Sequence, residues 1–560
     1  MQKKQLTLVI VSLLVVVLSV SLAYFTAQII GKGKDVSVSS ADLKIIFTDS
    51  DGSISGSNIE PGKWNVTKTF TIENKSNETY KYNIVIQDLV NTFVTEGYLQ
   101  YKITSTNGGY NMTEFKDVPK SSVATDTILA YSASIDVGVT QSYTVEFIYK
   151  NDESVDQSDD MGKTLSGQLF ITEGTIDPAV YYAGYEKGTI GYQIMSDNPT
   201  RLTRTDFSSV FTETNTGTLY KATESIAGNT PKDVYYFAGD AKNNWVKFGK
   251  YQNDLIRYRG YYSATSPTDY HDYSTMDECT SASSYNINCT EYKYANTGDD
   301  IYWRIIRTNH DGSIRLLYSG TSHNTTAGYI ATSLFTDKAK MDPMYAGYMY
   351  GTTGSLENNR LNTNDSTIKT YIDNWYNNNL SSYSKYISTE AVYCNDRELA
   401  PGQTYSTSSS FDYAPSGRLD TNKPTYNCTN NKDAFSGNNG EAKLTYPIGL
   451  MTADEIAYAG GKVNTKLPSP YAWYYLNSAG GSITGSTWWW LMSPVDSRDS
   501  LVGVPDVYVV NGSGPGHLGS VFAITKYGVR PAISLKTCTL WTSGNGAPET
   551  PYEISTTSGC

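Results

Sequence analysis

Residues 488–535 read WWWLMSPVDSRDSLVGVPDVYVVNGSGPGHLGSVFAITKYGVRPAISL. An aromatic triplet, Trp488, Trp489 and Trp490, stands at one end, and Gly528, Val529, Arg530, Pro531 and Ala532 stand at the other. Between them, alternation through Val507, Val509, Val521 and Ala523 predicts strands. The side chains in the intervening loops are small, polar or charged, which suits a surface that meets a ligand. Asp496, Ser497, Arg498, Asp499, Asn511, Ser513, His517, Lys526 and Tyr527 are the candidate contact residues, with Trp488 and Trp490 behind them. Strand alternation buries Trp489 and turns Trp488 and Trp490 the other way. The triplet fits two roles: aromatic core, which is the commoner use, or a face for stacking a sugar.

Composition bounds the rest of the 560-residue chain, which is long enough for at least two separate cores. Its formal net charge is -12 with 44 Lys plus Arg, so no basic footprint argues for nucleic acid. Charged residues are 18% of the total, whereas Tyr (47) and Gly (46) are abundant. That mixture fits strand-rich secreted proteins, where Tyr suits strands, and also binding surfaces, where Tyr gives rigid contact area.

At the N-terminus, Lys3 and Lys4 precede an apolar run, and no charge occurs from Gln5 through Gly31. A positive end followed by such a run predicts a helix that enters a membrane, with the chain beyond Lys32 translocated. Ser21-Leu22-Ala23 offers a cleavage site, yet the run exceeds the about 20 residues that span a bilayer. Residues 1–31 are therefore a signal peptide or a membrane anchor, and both fit. Cys279, Cys289, Cys394, Cys428, Cys538 and Cys560 form an even set, as expected of an oxidising compartment. Pairing each with its sequence neighbour, 279 with 289, 394 with 428 and 538 with 560, closes three local loops without crossing. His271, His310, His323 and His517 are scattered, so zinc spacing is absent.

From 36 to 174 the pattern is strands joined by polar turns, the logic of an all-β sandwich. Pro61-Gly62 marks a turn before the alternating TKTFTIEN, and Asn74 to Glu78 a second turn before YKYNIVI. Asp49, Asp51, Ser53 and Glu60 mimic a calcium loop, but Gly52 sits at its fourth position and Ile54 at its sixth, where glycine is required. An Asp-Gly hairpin turn explains these residues better. Ala23-Tyr24-Phe25, then Glu60-Pro61-Gly62, then Phe70-Thr71-Ile72-Glu73-Asn74, with GKTLSGQLFITEG as a last strand, resemble the TasA and camelysin family of secreted matrix proteins. The resemblance covers about a quarter of the chain and implies a jelly-roll sandwich at a cell surface.

Residues 175–225 are expected to be a joint and the start of a second domain, which occupies 226–540, with a polar tail at 541–560. VYYFAGDAKNNWVKFGKY predicts strand, turn and strand, and IYWRIIRTNHDGSIRLLYSG a hairpin turning at Asp311-Gly312. An insertion containing Cys279 and Cys289 lies between them. Asp365 or Ser366 caps a helix carrying Ile368, Tyr371, Ile372, Trp375 and Leu380, and Thr452 with Glu455 is a capping box closed by Gly460-Gly461. These helices, the hairpins and the closing GVRPA strand make an α+β domain. Together with WWWLMSP and YGVRPAISL, the pattern resembles the C-type lectin fold in its formylglycine-generating-enzyme-like branch, as found in a group of Gram-positive surface proteins.

That branch contains oxidases and binding proteins, and the cysteines discriminate. Such an oxidase needs a cysteine pair in its closing loops to hold copper, and no cysteine lies between Cys428 and Cys538. No GxSxG or HExxH motif is present, and Asp496 with Asp499 is a weak glycosidase pair. The expectation is therefore an exported, non-enzymatic adhesion or ligand-binding protein without cofactor, although calcium suits such folds at unassigned residues. Its partner would be a surface protein or glycan, with the membrane held through the N-terminal helix. The resemblance further implies that a diversity-generating retroelement could rewrite the interval 495–527. The alternatives are a TasA-type matrix or fibre component and a degenerate formylglycine-generating-type enzyme.

Overall fold

The computed structural model describes residues 36–37, 43–47, 53–56, 59–95, 97–119, 121–173, 182–215, 217–265, 270–339, 342–497, 505–512 and 516–560. The N-terminal apolar run, Asp49 and Asp51 lie outside them. Among the described residues the protein is mostly β, with several antiparallel sheets and few helices, and no helix is long and apolar enough to cross a membrane. The chain divides into two compact units, Met1–Gly184 and Tyr185–Cys560.

In the first unit, Pro61-Gly62 turns the chain at positive φ into the strand Asn65–Asn74, and Tyr80–Asn91 follows after the Asn/Ser turn. The first of these pairs with Leu43–Phe47 on one side and Thr140–Tyr149 on the other. The second pairs with Leu165–Glu173 and Ser121–Ile135. Two antiparallel sheets result, and Phe70, Ile72, Val145 and Phe147 of one share a core with Ile84, Ile86, Leu169 and Ile171 of the other. This is the outcome that strand alternation dictates, since every second side chain points inward.

The second unit starts at Tyr185, within the stretch 175–225 expected to hold the joint and its start. The helix Ile190–Asp197, capped by Thr189, and the strand Thr218–Glu224 belong to it, the latter pairing with Lys232–Tyr236. Its main sheet runs through the antiparallel strands Trp245–Lys250, Asp300–Thr308, Ile314–Tyr318 and Pro531–Leu535. Gly312 turns the central hairpin at positive φ. Helix Thr367–Asn379 is capped by Ser366 rather than Asp365. Thr452 and Glu455 form the complete capping box of Ala453–Ala459. Gly460 ends that helix with φ 120°, where a Cβ would collide with the Phe211 carbonyl.

Three disulfides join Cys279 to Cys289, Cys394 to Cys428 and Cys538 to Cys560, and no cysteine is free. They fit an oxidising, extracellular compartment.

Residues 541–560 are not a tail. Trp541–Ser543 and Tyr552–Ile554 pair with each other, and Tyr552–Ile554 adds in parallel to Trp245–Lys250. Tyr552 is fully buried, and its hydroxyl donates to Asp197 Oδ2 at 2.9 Å. The polar composition hid this because only alternate residues of a short strand need to be apolar.

Tyr552→Ala is therefore expected to cost about 3 kcal/mol or more, as loss of a buried aromatic does. Denaturant titration checks this, and a change within about 0.5 kcal/mol, as for an exposed residue, would return the segment to the status of a tail. Burial pushes the Asp197 carboxyl up to about 7, against the lowering effect of its bonds from Gln193 and Tyr552. The folded pKa exceeds the unfolded value of about 3.9, so this group's contribution is complete below about pH 4 and is lost as the pH rises through about 7. Asp197→Asn should flatten the melting temperature between about pH 4 and 7 and exceed the parent's at about pH 8. Parallel pH profiles for the two proteins would contradict the assignment.

Candidate functional site

The strand Trp489–Ser497 is the axis of a second sheet, flanked by Asp506–Val510, which in turn pairs with Leu518–Phe522. On its other side, Tyr527–Val529 pairs with Ala331–Ser333. The alternation expected of the tryptophans holds, because Trp488 and Trp490 both meet Tyr527 while Trp489 faces away. Trp488 stacks on Tyr527 with ring centroids 5.7 Å apart, and Trp490 meets it edge-on at 5.4 Å. Trp489 packs instead under the Arg530 guanidinium, 4.6 Å from its ring.

Burial corrects two of the expected contact residues. Trp490 is 0% exposed, as closed as Trp489 at 1%. Phe335 covers its ring, and its indole N–H donates to the Ser333 carbonyl at 2.8 Å. Both faces of this strand are packed, so the alternation that separates inside from outside in a one-sided sheet separates two interiors here. Asn511 is buried too, in the connection where its N–H donates to the His517 carbonyl at 3.0 Å. Neither Trp490 nor Asn511 is a contact residue.

The remaining candidates separate into two places. Trp488, His517, Lys526 and Tyr527 gather at the start of the strand, with His517 6.4 Å from the Trp488 ring. Asp496 and Ser497 lie at its far end, opposite Asp412 and Phe411, of the order of 25 Å away along extended backbone. Arg498, Asp499 and Ser513 lie outside the described residues. Burial lowers the pKa of His517, and Lys466 adds to this, so the ring favours its neutral form. Burial also raises the Tyr527 phenol, which keeps its proton.

One partner of this cluster escaped sequence reasoning. Lys526 Nζ lies 2.7 Å from Glu278 Oε1, and Glu278 comes from the disulfide-stapled insertion. That insertion is a three-stranded sheet, Leu255–Tyr261 between Tyr270–Tyr273 and Ile287–Ala295, with the short helix Met276–Ser281 in the connection between the latter two strands. Thr275 caps the helix by accepting from the Glu278 N–H. Ser274 and Thr332 exchange bonds, Ser274 Oγ donating to the Thr332 carbonyl and accepting from its N–H at 2.8 and 3.1 Å. The insertion is thereby fastened to the strand that pairs with Tyr527. The Thr-x-x-Glu spacing at 275–278 was a legible helix start, but nothing local announces a lysine some 250 residues onward.

The arginines of WRIIR and GVRPA are scaffold. Arg304 lies over Trp245 and donates to the carbonyls of Leu476 and Ala241. Arg530 donates to those of Tyr318 and Tyr474. Burial lowers the pKa of both. Among the described residues no cluster of His, Cys, Asp and Glu could hold a metal.

Comparison with protein-family models, with the curated proteins and with the solved structures finds no match for this chain.

Truncating Trp490 should cost about 3 to 5 kcal/mol, as for a buried indole. His517→Ala should be nearly neutral for stability, because its buried Nδ1 has no hydrogen-bond partner and little is lost with it. Chemical denaturation of the two variants checks the ranking, and equal losses would mean that His517 is core.

Proposed function

We propose that the chain is an exported cell-surface protein that binds a ligand and has no catalytic activity. In this reading the second unit is a C-type lectin-like domain of the formylglycine-generating-enzyme-like branch. The first is a TasA/camelysin-like jelly-roll that carries it at the surface, with residues 1–31 as signal or anchor. The observation that carries it is the cluster at the start of the Trp489–Ser497 strand. There a partly exposed aromatic stack, Trp488 on Tyr527, stands beside the Lys526–Glu278 pair. The cluster rests on a scaffold in which Arg304, Arg530, Trp489 and Trp490 are buried. Rigid aromatic area beside polar groups is the composition of recognition surfaces. Three disulfides support the extracellular placement. A retroelement that rewrote codons in 495–527 would alter Lys526 and Tyr527 while leaving the buried frame at 528–535 intact.

Full-length chain in mild detergent, applied to arrays of glycans and of cell-surface proteins, should be retained on a subset of features and should remain a discrete particle by electron microscopy. Spontaneous fibres together with blank arrays would favour the matrix-component reading and overturn this one.

A further inference from the structure

We propose that the groove between the stapled turn of the insertion and Lys526 binds a neutral polyhydroxylated ligand, a hexopyranoside. This rests on the reading of the second unit as a binding module, and the groove shares the Lys526–Glu278 pair with the cluster described above. The groove is open to solvent and offers about 340 Å³, toward the lower end of clefts that hold small ligands. Tyr273, Glu278, Ser281, Ser283, Ser284 and Lys526 line it.

The charges in it cancel. Glu278 and Lys526 are paired at 2.7 Å and both retain some exposure. An anionic ligand would meet the carboxylate, and a cationic one the ammonium. A pair of adjacent hydroxyls suits both partners, because each hydroxyl can donate and accept. One donates to Glu278 while its neighbour accepts from Lys526. The serine hydroxyls offer the same dual character along the wall. The Tyr273 ring, edge-on to His271 at 4.7 Å, supplies the apolar surface that the C–H face of a sugar requires.

The walls are held before any ligand arrives, which lowers the ordering cost of binding. Glu278 Oε2 accepts from the Ser274 N–H at 3.1 Å, so the carboxylate is fixed at both oxygens. The Tyr273 hydroxyl donates to the Ser284 carbonyl at 2.9 Å, and the Cys279–Cys289 bridge closes the turn behind it.

The test is full-length chain in detergent on an array of neutral and uronic-acid oligosaccharides, with free methyl hexosides as competitors. Two variants accompany the parent. Ser283→Trp fills the groove from an exposed position and leaves the melting temperature unchanged. Glu278→Gln keeps the acceptor for Ser274 and abolishes the charge pair. Neutral oligosaccharides should be retained, methyl hexosides should compete, and both variants should bind at least about tenfold more weakly. Parent-like binding by Ser283→Trp, or a preference for uronic acids, overturns the groove assignment. Retention on polypeptides alone overturns the sugar class while the binding-protein reading stands. Blank arrays with spontaneous fibres overturn both.

Discussion

The second unit is organised around the carboxylate of Glu455. It completes the capping box of its own helix, accepting from the Thr452 N–H at 3.0 Å. It also receives Arg307 Nε at 2.9 Å and Arg315 Nη1 at 2.8 Å from the two strands of the central hairpin. Arg307 extends the chain of charges to Glu224 at 2.8 Å. All four side chains are buried. Glu224 is held down to about 2, burial opposing and Arg307 and His310 overcoming it. Buried pairs of this kind add little net stability over apolar packing, but removing one member leaves the others charged and unpaired. Loss of Glu455 would therefore leave Arg307 and Arg315 buried without the carboxylate they share.

The same device recurs on either side. Asp433 receives Arg360 and Arg397, each at 2.7 Å, and Arg418 bridges Asp396 and Asp454 at 2.6 and 2.9 Å. Cys394 and Cys428 are joined beside these networks, and a void of about 20 Å³ lies among them, room for about one water. Aromatic rings complete the solvation, with Tyr426 against Arg307 and Tyr393 against Arg315 at 4.4 and 4.5 Å. Some of the tyrosines thus shield guanidinium groups, in addition to any role in recognition.

What the sequence disclosed follows the range of each signal. The capping box at Thr452, the helix after Ser366 and the turn at Gly312 are written within a few residues of where they act and were legible, and the three disulfides, whose partners lie 10, 34 and 22 residues apart, followed from pairing each cysteine with its neighbour. Mostly-β architecture followed from alternation. Trp490 was misplaced because alternation reports two faces without saying that both are covered, and Asn511 because a polar residue just after a strand reads as exposed loop. Glu278 was missed because its pairing with Lys526 is a product of tertiary placement. The strand at Tyr552 was missed because three residues in a polar setting carry no period.

That strand sets the order in which the unit can be completed. Tyr552 reaches back to Asp197 across 355 residues of chain, and Ile190 donates to the Thr539 carbonyl at 3.0 Å. The opening and closing segments of the unit are each other's partners. Until residues near 552 have emerged, the strand Trp245–Lys250 has an open edge and Asp197 has no tyrosine to receive. Folding therefore closes late, since long-range pairing must be made before it is rewarded. The first unit and the central hairpin need nothing from this segment, so the late closure belongs to the edge of the second unit's main sheet alone.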